Sequence, residues 1–531
     1  MFLKKSNLLN FKTLGLFLIS FYVIIRLPYL GFSNFNTDSF KWKTRIYDFG
    51  SGVFNLNLDQ TVQKYHPGVT LLWIGTFSVK FFNFINDNLF SQSLPDGSID
   101  FVFALNFYQI LFIVLAQAGL VFLLFYFLAQ IYDPVKSFLI LLVLTLEPFF
   151  MGITTTLHLD GLLNLFILNF LVTFYLFLKN NNRLYLSLSA IFMGLALLTK
   201  TTALLFFPVV IIGFIAKYIL FKDTNWLLVL KNTLLFSLTS FLVYFIVWPG
   251  MWSDPINTLN YVYKGVTVGT EDHSQIYFGN LVSDPGPFYY LIVTLIKGTI
   301  YIFPALLLVA YIQLNTSYRK YTFEIFLFLS SILYLIEITI PSKKLDRYIF
   351  SFMILLSLII YSYLYDFSKK ILIYFLGINL FFVFYLNFDY FSYYNPLVGG
   401  IKNSILWVEP KWIFGQKEIT SYFSEEMKNN KFEEFSDETL LVKTPEKNNN
   451  LIVAVPEKYY TQLYPYFRLI KARLVINTLK PEAVKARYFI FPVWEDTSVS
   501  ENFTQRYNLT MYDQIKVRGV SIFNIYKVNG R

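Results

Sequence analysis

The sequence has no cysteine among its 531 residues, so neither a disulfide framework nor a thiolate metal site can be built from it. Histidine is scarce, with three in the chain, and only 15% of residues are charged. No Gly-rich phosphate loop and no Walker sequence occurs, which removes the usual ways of holding a nucleotide. No small-residue cleavage site follows the basic start "MFLKKSNLLNFK", so the first apolar run reads as an uncleaved helix rather than a signal peptide. What the chain has is apolar: 55% of it is hydrophobic and 20% aromatic, with mean hydropathy +0.50. The net charge of +10 falls mostly in short loops and makes no case for nucleic acid.

Runs of about 20 apolar residues recur from Leu14 to about Asn387, each long enough to cross a hydrocarbon core of about 30 Å. In lipid such runs must be helices, because each backbone N–H and C=O has to be satisfied within the segment. Eleven spans are predicted, near 12–31, 101–131, 135–150, 160–178, 184–199, 203–221, 231–248, 287–312, 323–340, 347–365 and 370–388. The expected fold is an all-α polytopic membrane domain over 1–410, with a long first outer loop at 31–100. Residues 411–531 are more polar. A helix is expected from Gln416 to Phe435, and short strands at "LLVKT", "NLIVAVP", "RYFIFPVW" and "VSIFNIYKV" suggest a small α/β domain. The Tyr-rich segment from Lys458 to Leu469 is expected to pack on that sheet.

Lys4, Lys5 and Lys12, "KNNNR" (Lys179 to Arg183), Lys217, Lys222 through Lys231, "SYRK" (Ser317 to Lys320) and "SKK" (Ser368 to Lys370) fall on one side. The positive-inside rule makes that side cytoplasmic. The expectation is a multi-pass protein of the cell membrane with a cytoplasmic N-terminus and the C-terminal domain outside.

The other side gathers different residues. Its first loop holds Asp38, Arg45, Asp48, Asp59 and His66. A short loop brings Glu147, His158 and Asp160, and later loops bring Asp254, Glu271, Asp272, His273 and Asp284. "PSKKLDRY" adds Lys343, Lys344, Asp346 and Arg347. In "NTDSFKWKTRIYDF" a helix would set Asp38, Trp42 and Arg45 on one face, which describes an amphipathic helix on the outer surface. "HPG" then signals a turn, with a second interfacial helix from Val69. Each residue also has a plainer reading. Trp42 and Arg45 suit an interfacial anchor, and His66 a turn ring. Asp160 suits a helix start, where the dipole contributes about 0.3–1 kcal/mol. Asp284, in "SDPGP", suits either a cavity rim or a turn before proline. The basic cluster is harder to explain away, because positive charge is disfavoured on this face.

The order of these motifs resembles a known group. An acidic motif after span one, "HPGVT", "LHLD", "LLTKTTALLFFP", "YFGNLVSDPGPFYY", "KKLDRY" and "YYNPLVGG" follow one another over about residues 14–410. In that order they are similar to GT-C glycosyltransferases that use lipid-carrier sugars. The chain resembles specifically the protein O-mannosyltransferase-like group (glycosyltransferase family 39), with the aminoarabinose transferases of lipid A more distant. The resemblance implies transfer of a single sugar from a polyprenyl-phosphate carrier to an extracytoplasmic acceptor, with inversion. It implies Asp38 as general base and Asp160 as a second acid, with His158 beside it, that positions the acceptor or a metal. Lys343, Lys344 and Arg347, and with them Arg45, would hold the donor phosphate. A carboxylate beside a membrane surface can have a raised pKa, which would suit Asp38 to base work near neutral pH. A divalent metal is possible, although the spacing of the histidines and carboxylates matches no standard ligand motif. One departure stands out. The family usually carries an Asp-Glu pair in the first outer loop, and this chain has Asp38-Ser39. The "WWDYG" signature of oligosaccharide transfer is absent, and the C-terminal region does not read as a β-trefoil. The competing reading is a transporter or flippase of lipid-linked sugars. Against it, no internal repeat is visible and the charges cluster at one face rather than at the midplane.

Overall fold

The computed structural model describes residues 5–32, 35–89, 92–220, 226–268, 274–315, 318–435, 449–478, 483, 485–495 and 497–529. Glu271, Asp272, His273, Lys4, Lys222 and the expected strand "LLVKT" lie outside the described residues. The first ten helices are α1 (Lys5–Ile24), α2 (Thr37–Phe54), α3 (Val69–Asn88), α4 (Ile99–Leu128), α5 (Pro134–Leu144), α6 (Pro148–Thr154), α7 (Leu159–Asn180), α8 (Arg183–Thr199), α9 (Phe207–Leu220) and α10 (Trp226–Val247). Long helices Ile302–Asn315, Thr322–Thr339 and Phe350–Tyr385 follow. Every one of the predicted apolar runs contains a helix. Among the described residues, seven helices are long and apolar enough to cross a membrane, or up to nine if each of two bent pairs is one span. The chain is a multi-pass membrane protein.

The structure corrects the expected spans in four places. α1 ends at Ile24, seven residues short of the predicted 31, and Pro28 and a left-handed Gly31 (φ 78°) turn the chain. α5 and α6 meet at 78°, because Pro148 starts a new helix directly after Glu147. Helices Tyr289–Lys297 and Ile302–Asn315 meet at 107°, broken where Gly298 is extended. α3 is expected at the interface, yet at 20 residues it meets the length and apolarity of a span.

Phe350–Tyr385 is one run of 36 residues with a non-helical Ser368 inside it (φ −163°, ψ 112°). The Tyr301 hydroxyl lies 2.8 Å from the Tyr361 hydroxyl and 3.1 Å from Asn379 Oδ1. On a straight helix Tyr361 and Asn379 would stand about 27 Å apart. The run is therefore a helical hairpin turning at Ser368, as the two predicted spans 347–365 and 370–388 require. Tyr361 also donates to the buried Glu147, and Asn379 to the Val143 carbonyl at 3.0 Å. This polar knot satisfies groups exposed by the bend between α5 and α6. It also holds Glu147 in the core, away from the other outer-face candidates.

Segments expected on one side meet at one end of the bundle. Lys136 and Lys320 both reach Asp366, at 2.9 and 3.3 Å. Tyr175 meets Thr322 at 2.7 Å, and Lys217 meets Asn181 at 3.0 Å. The opposite end carries the C-terminal region. After a short hairpin of β1 (Gln275–Tyr277) and β2 (Asn280–Val282), the C-terminal region supplies β3 (Ile452–Val455), β4 (Arg473–Ile476), β5 (Tyr488–Pro492), β6 (Leu509–Val517) and β7 (Val520–Val528) in one sheet of order β4-β3-β5-β7-β6, with β3 parallel to β4 and β5. β7 is antiparallel to β5 and β6. The sequence reading found β3, β5 and β7 and missed β4 and β6. The Tyr-rich segment is a helix, Glu457–Leu469. It packs on the sheet and also on the membrane domain: Arg468 donates to the Gly97 carbonyl at 2.8 Å, and Tyr466 donates to the Phe32 carbonyl.

Candidate active site

Four of the sequence candidates and two residues not singled out from sequence converge where these layers meet. α2 forms because Trp42, Ile46 and Phe49 recur at helical spacing and bury one stripe, while Asn36 caps its start by accepting from the Ser39 N–H at 2.9 Å. This sets Asp38 in the first turn. Ser39, where the second carboxylate of the resembled family would stand, is buried with its hydroxyl 3.5 Å from the Leu157 carbonyl. It faces the protein and not the cluster. The His66-Pro67-Gly68 turn lies on Trp42. Gly68 is left-handed (φ 65°), and a Cβ there would come within 2.4 Å of the Trp42 ring. Trp42 is thus a packing residue, and Arg45 stacks over its ring at 4.5 Å.

Asp160 begins α7 and is buried. Its Oδ1 accepts from Lys200 at 2.7 Å, and its Oδ2 lies 3.2 Å from His158 Nδ1 and 3.4 Å from Arg347 Nε. Arg347 reaches across with Nη2 to Asp38 Oδ2 at 3.2 Å. His158 Nε2 stands 3.7 Å from the same oxygen, and Trp412 Nε1 donates to it at 3.2 Å. One guanidinium therefore ties together two carboxylates from distant segments. The geometry leaves some capacity unused: among the described residues, Arg347 Nε and Nη1 and Asp160 Oδ2 are buried and find no hydrogen-bond partner.

Burial alone would raise the Asp38 carboxyl. The Arg347 guanidinium, His158, Lys411 and the Trp412 N–H outweigh it and hold Asp38 below the usual carboxylate range. This corrects the expected raised pKa, because the expectation ignored a cation in contact. Burial is the largest influence on His158 and His66 and lowers both, with Asp160 working against the shift in each. Burial lowers Lys200, and Asp160 at 2.7 Å works against that shift.

Beside the cluster lies a cavity of about 300 Å³. Tyr65, His66, Thr201, Lys343 and Tyr348 line its polar part, and Leu204, Leu205 and Ile338 its apolar part. His66 Nδ1 is 2.7 Å from the Thr201 hydroxyl, and Lys200 lies over the Tyr348 ring at 4.5 Å. A second space of about 250 Å³ is lined by Val209, Ile212 and Gly213 of α9 and by Phe326, Leu329 and Leu333 of the facing helix. The two spaces follow one another along the same pair of segments, away from the cluster.

Not every candidate belongs here. Lys344 turns away from Lys343 and pairs with Asp284 at 2.7 Å, also donating to the Pro341 carbonyl at 2.8 Å. Asp284 in turn accepts from the Gly286 N–H at 2.8 Å, so the pair shapes a turn. Among the described residues, no group of three or more His, Asp or Glu side chains could hold a metal ion. Asp38 and Asp160 are engaged by cations instead. Lys200 and Trp412 escaped the sequence reading. Lys200 stood inside "LLTKTTALLFFP" as a lone cation on the outer side, the same signal that drew attention to Arg347. Trp412 carried no local signal.

No protein family matches the chain by sequence, and no curated protein does so either. Solved structures do match. ArnT from Cupriavidus metallidurans bound to undecaprenyl phosphate superposes with TM-score 0.50 at 11% identity, covering 99% of each chain. The apo form of the same protein gives 0.50 at 12% identity over 98% of this chain and 97% of that one. The chain has the GT-C fold. The Archaeoglobus fulgidus oligosaccharyltransferase in its apo form is similar at TM-score 0.40 and 9% identity, over 93% of this chain and 72% of that one.

Proposed function

We propose that this GT-C protein is an integral-membrane glycosyltransferase that moves one sugar from a polyprenyl-phosphate carrier to an acceptor hydroxyl outside the cytoplasm. The observation that carries the proposal is the meeting of an accessible carboxylate with a buried, incompletely bonded guanidinium, next to a cavity that continues as an apolar groove. The likeness to ArnT bound to undecaprenyl phosphate supports the carrier class.

Each part has a task. The apolar walls between α9 and Thr322–Thr339 suit a prenyl chain. Lys343 and the unpartnered Nη1 of Arg347 suit its phosphate, since a buried donor without an acceptor is costly until an anion completes it. Glu337 also lines the cavity, and among the described residues its Oε2 has no hydrogen-bond partner, which suits a sugar hydroxyl. Asp38 takes the proton from the acceptor hydroxyl as that oxygen attacks the anomeric carbon. The carbon–oxygen bond to phosphate breaks, and polyprenyl phosphate leaves with the electron pair, stabilised by Arg347 and Lys343. Base and leaving group on opposite faces of the sugar give inversion. When the phosphate draws charge from Arg347, Asp38 loses its strongest partner and becomes more basic. Asp160 is engaged by Lys200, His158 and Arg347, so its task is to orient them. Lys344, bound to Asp284, has no part in phosphate binding.

The test is incubation of purified protein in detergent with a panel of synthetic polyprenyl-phosphate sugars. Release of polyprenyl phosphate supports the transferase. No release with any donor from folded protein, with carrier moved across a liposome membrane, would replace it with a flippase.

A further inference from the structure

The segment from Val408 to Gly415 is a strap between the membrane domain and the C-terminal region. Val408 bridges to Tyr277, the Ile413 N–H donates to Gln462 Oε1 at 3.0 Å, and the Gly415 N–H donates to Asp389 Oδ2 at 3.1 Å. Phe414 packs on Tyr394 on one side and stacks on Trp494 on the other, with ring centroids 5.9 and 6.2 Å apart. Pinned at both ends, the strap drives Trp412 into the cluster, where the residue is 6% exposed. Its ring meets His158 edge-on at 4.9 Å and Phe391 at 5.2 Å, and the Arg347 guanidinium lies over it at 5.0 Å.

The contacts on Asp38 are one-sided. Trp412 Nε1, Arg347 Nη2 and His158 Nε2 all converge on Oδ2, at 3.2, 3.2 and 3.7 Å. Among the described residues no hydrogen bond or ion pair falls on Oδ1, and Oδ1 is not among the buried unpartnered atoms. A carboxylate held by one oxygen presents the other in a fixed direction.

We infer that Trp412 is a positioning residue: delivered by the C-terminal region, it locks Asp38 through Oδ2 and so selects Oδ1 as the oxygen that receives the acceptor proton. The inference rests on the transferase reading for its consequence, though not for the contact itself. It makes the C-terminal region a part of the site. Gln462, in the helix Glu457–Leu469 and clear of the cluster, acts at one remove by fixing the strap backbone.

Two measurements on the full chain test it. In the first, Trp412→Phe keeps an aromatic ring beside His158, Phe391 and Arg347 and removes the N–H together with part of the bicyclic ring. The expected result is a fall in kcat of about tenfold, as loss of one hydrogen bond to a charged group predicts, with the donor KM within about twofold of wild type. Gln462→Leu should show the same split with a smaller loss. A loss of folded protein would not produce this split once rates are normalised to folded enzyme. In the second, the indole N–H resonance of Trp412, assigned by its absence in Trp412→Phe, is followed with no donor present. It should shift in Asp38→Asn. An unchanged kcat in Trp412→Phe, or an unmoved indole resonance in Asp38→Asn, would overturn the inference. If wild type transfers no sugar at all, the transferase reading fails, and the indole resonance still decides whether Trp412 holds Asp38.

Discussion

At the end of the bundle away from the site, Lys136 and Lys320 share Asp366; the Lys136 side chain is 7% exposed, but Asp366 is 20% and Lys320 55% exposed. At the site end, Asp160, Lys200 and His158 side chains are 3–5% exposed, and Arg347 is 11% exposed. Both clusters tie helix ends together, but only the second leaves Arg347 Nε and Nη1 and Asp160 Oδ2 without hydrogen bonds. Charges near solvent cost little to pair and contribute little, about 0–1 kcal/mol. Buried charges are expensive, and a buried cluster with unused donors is more so. A fold that needed only to clamp its helices would use the first arrangement at both ends. The second is a reserve of binding capacity, which on the proposed reading the donor phosphate draws on.

The comparison can be broken first at Arg347. Arg347→Ala should lower kcat/KM for the donor by at least about 10²-fold, because truncating one partner of a buried pair also leaves Asp38 and Asp160 without their shared cation. Arg347→Lys should recover only part of that loss, since an ammonium cannot span two carboxylates. Steady-state release of polyprenyl phosphate measures both. Next, Lys200→Met should destabilise the protein by about 3–5 kcal/mol by stranding Asp160. The double variant with Asp160→Asn should regain most of that stability and no activity. Thermal unfolding in detergent beside a turnover assay separates the two effects. A wild-type turnover rate in the double variant would show the site end to be a clamp like the other end.

A pH series sharpens the same contrast. Asp38 is held below its ordinary 3.8, so its pairing contributes stability that is fully present above that value. The contribution is lost as pH falls through the lowered value. The difference in melting temperature between wild type and Asp38→Asn should therefore stay level from pH 5 to pH 8 and shrink only in strong acid. The smallest effect belongs to the far end. Asp366→Asn keeps an oxygen for the buried Lys136 and should change stability by about 1–3 kcal/mol while leaving kcat and KM as they are.

The helices were legible because lipid leaves an apolar run no alternative. The loop charges were legible too, and Asp38, His158, Asp160 and Arg347, from three separate loops, do meet. What was hidden depends on bends and neighbours. The angle at Glu147 withdrew one carboxylate into the core, and no periodicity marks that event. Lys343 and Lys344 are adjacent, yet they sit on a non-helical segment and turn to different partners, so a shared role could not hold for both. The pKa of Asp38 followed from one cation 3.2 Å away, which no loop assignment supplies. Trp412 lies 374 residues from Asp38, and only the path of the strap brings them together.

The central claim is that Asp38 is the base of a sugar transfer from a lipid phosphate. It is tested most directly by comparing wild type with Asp38→Asn on the donor that wild type uses, with acceptor product and released polyprenyl phosphate measured together. The account predicts one polyprenyl phosphate per inverted product in wild type, and a rate about 10²- to 10⁴-fold lower in the folded variant. Equal rates in the two proteins, or a retained anomeric configuration, would contradict it.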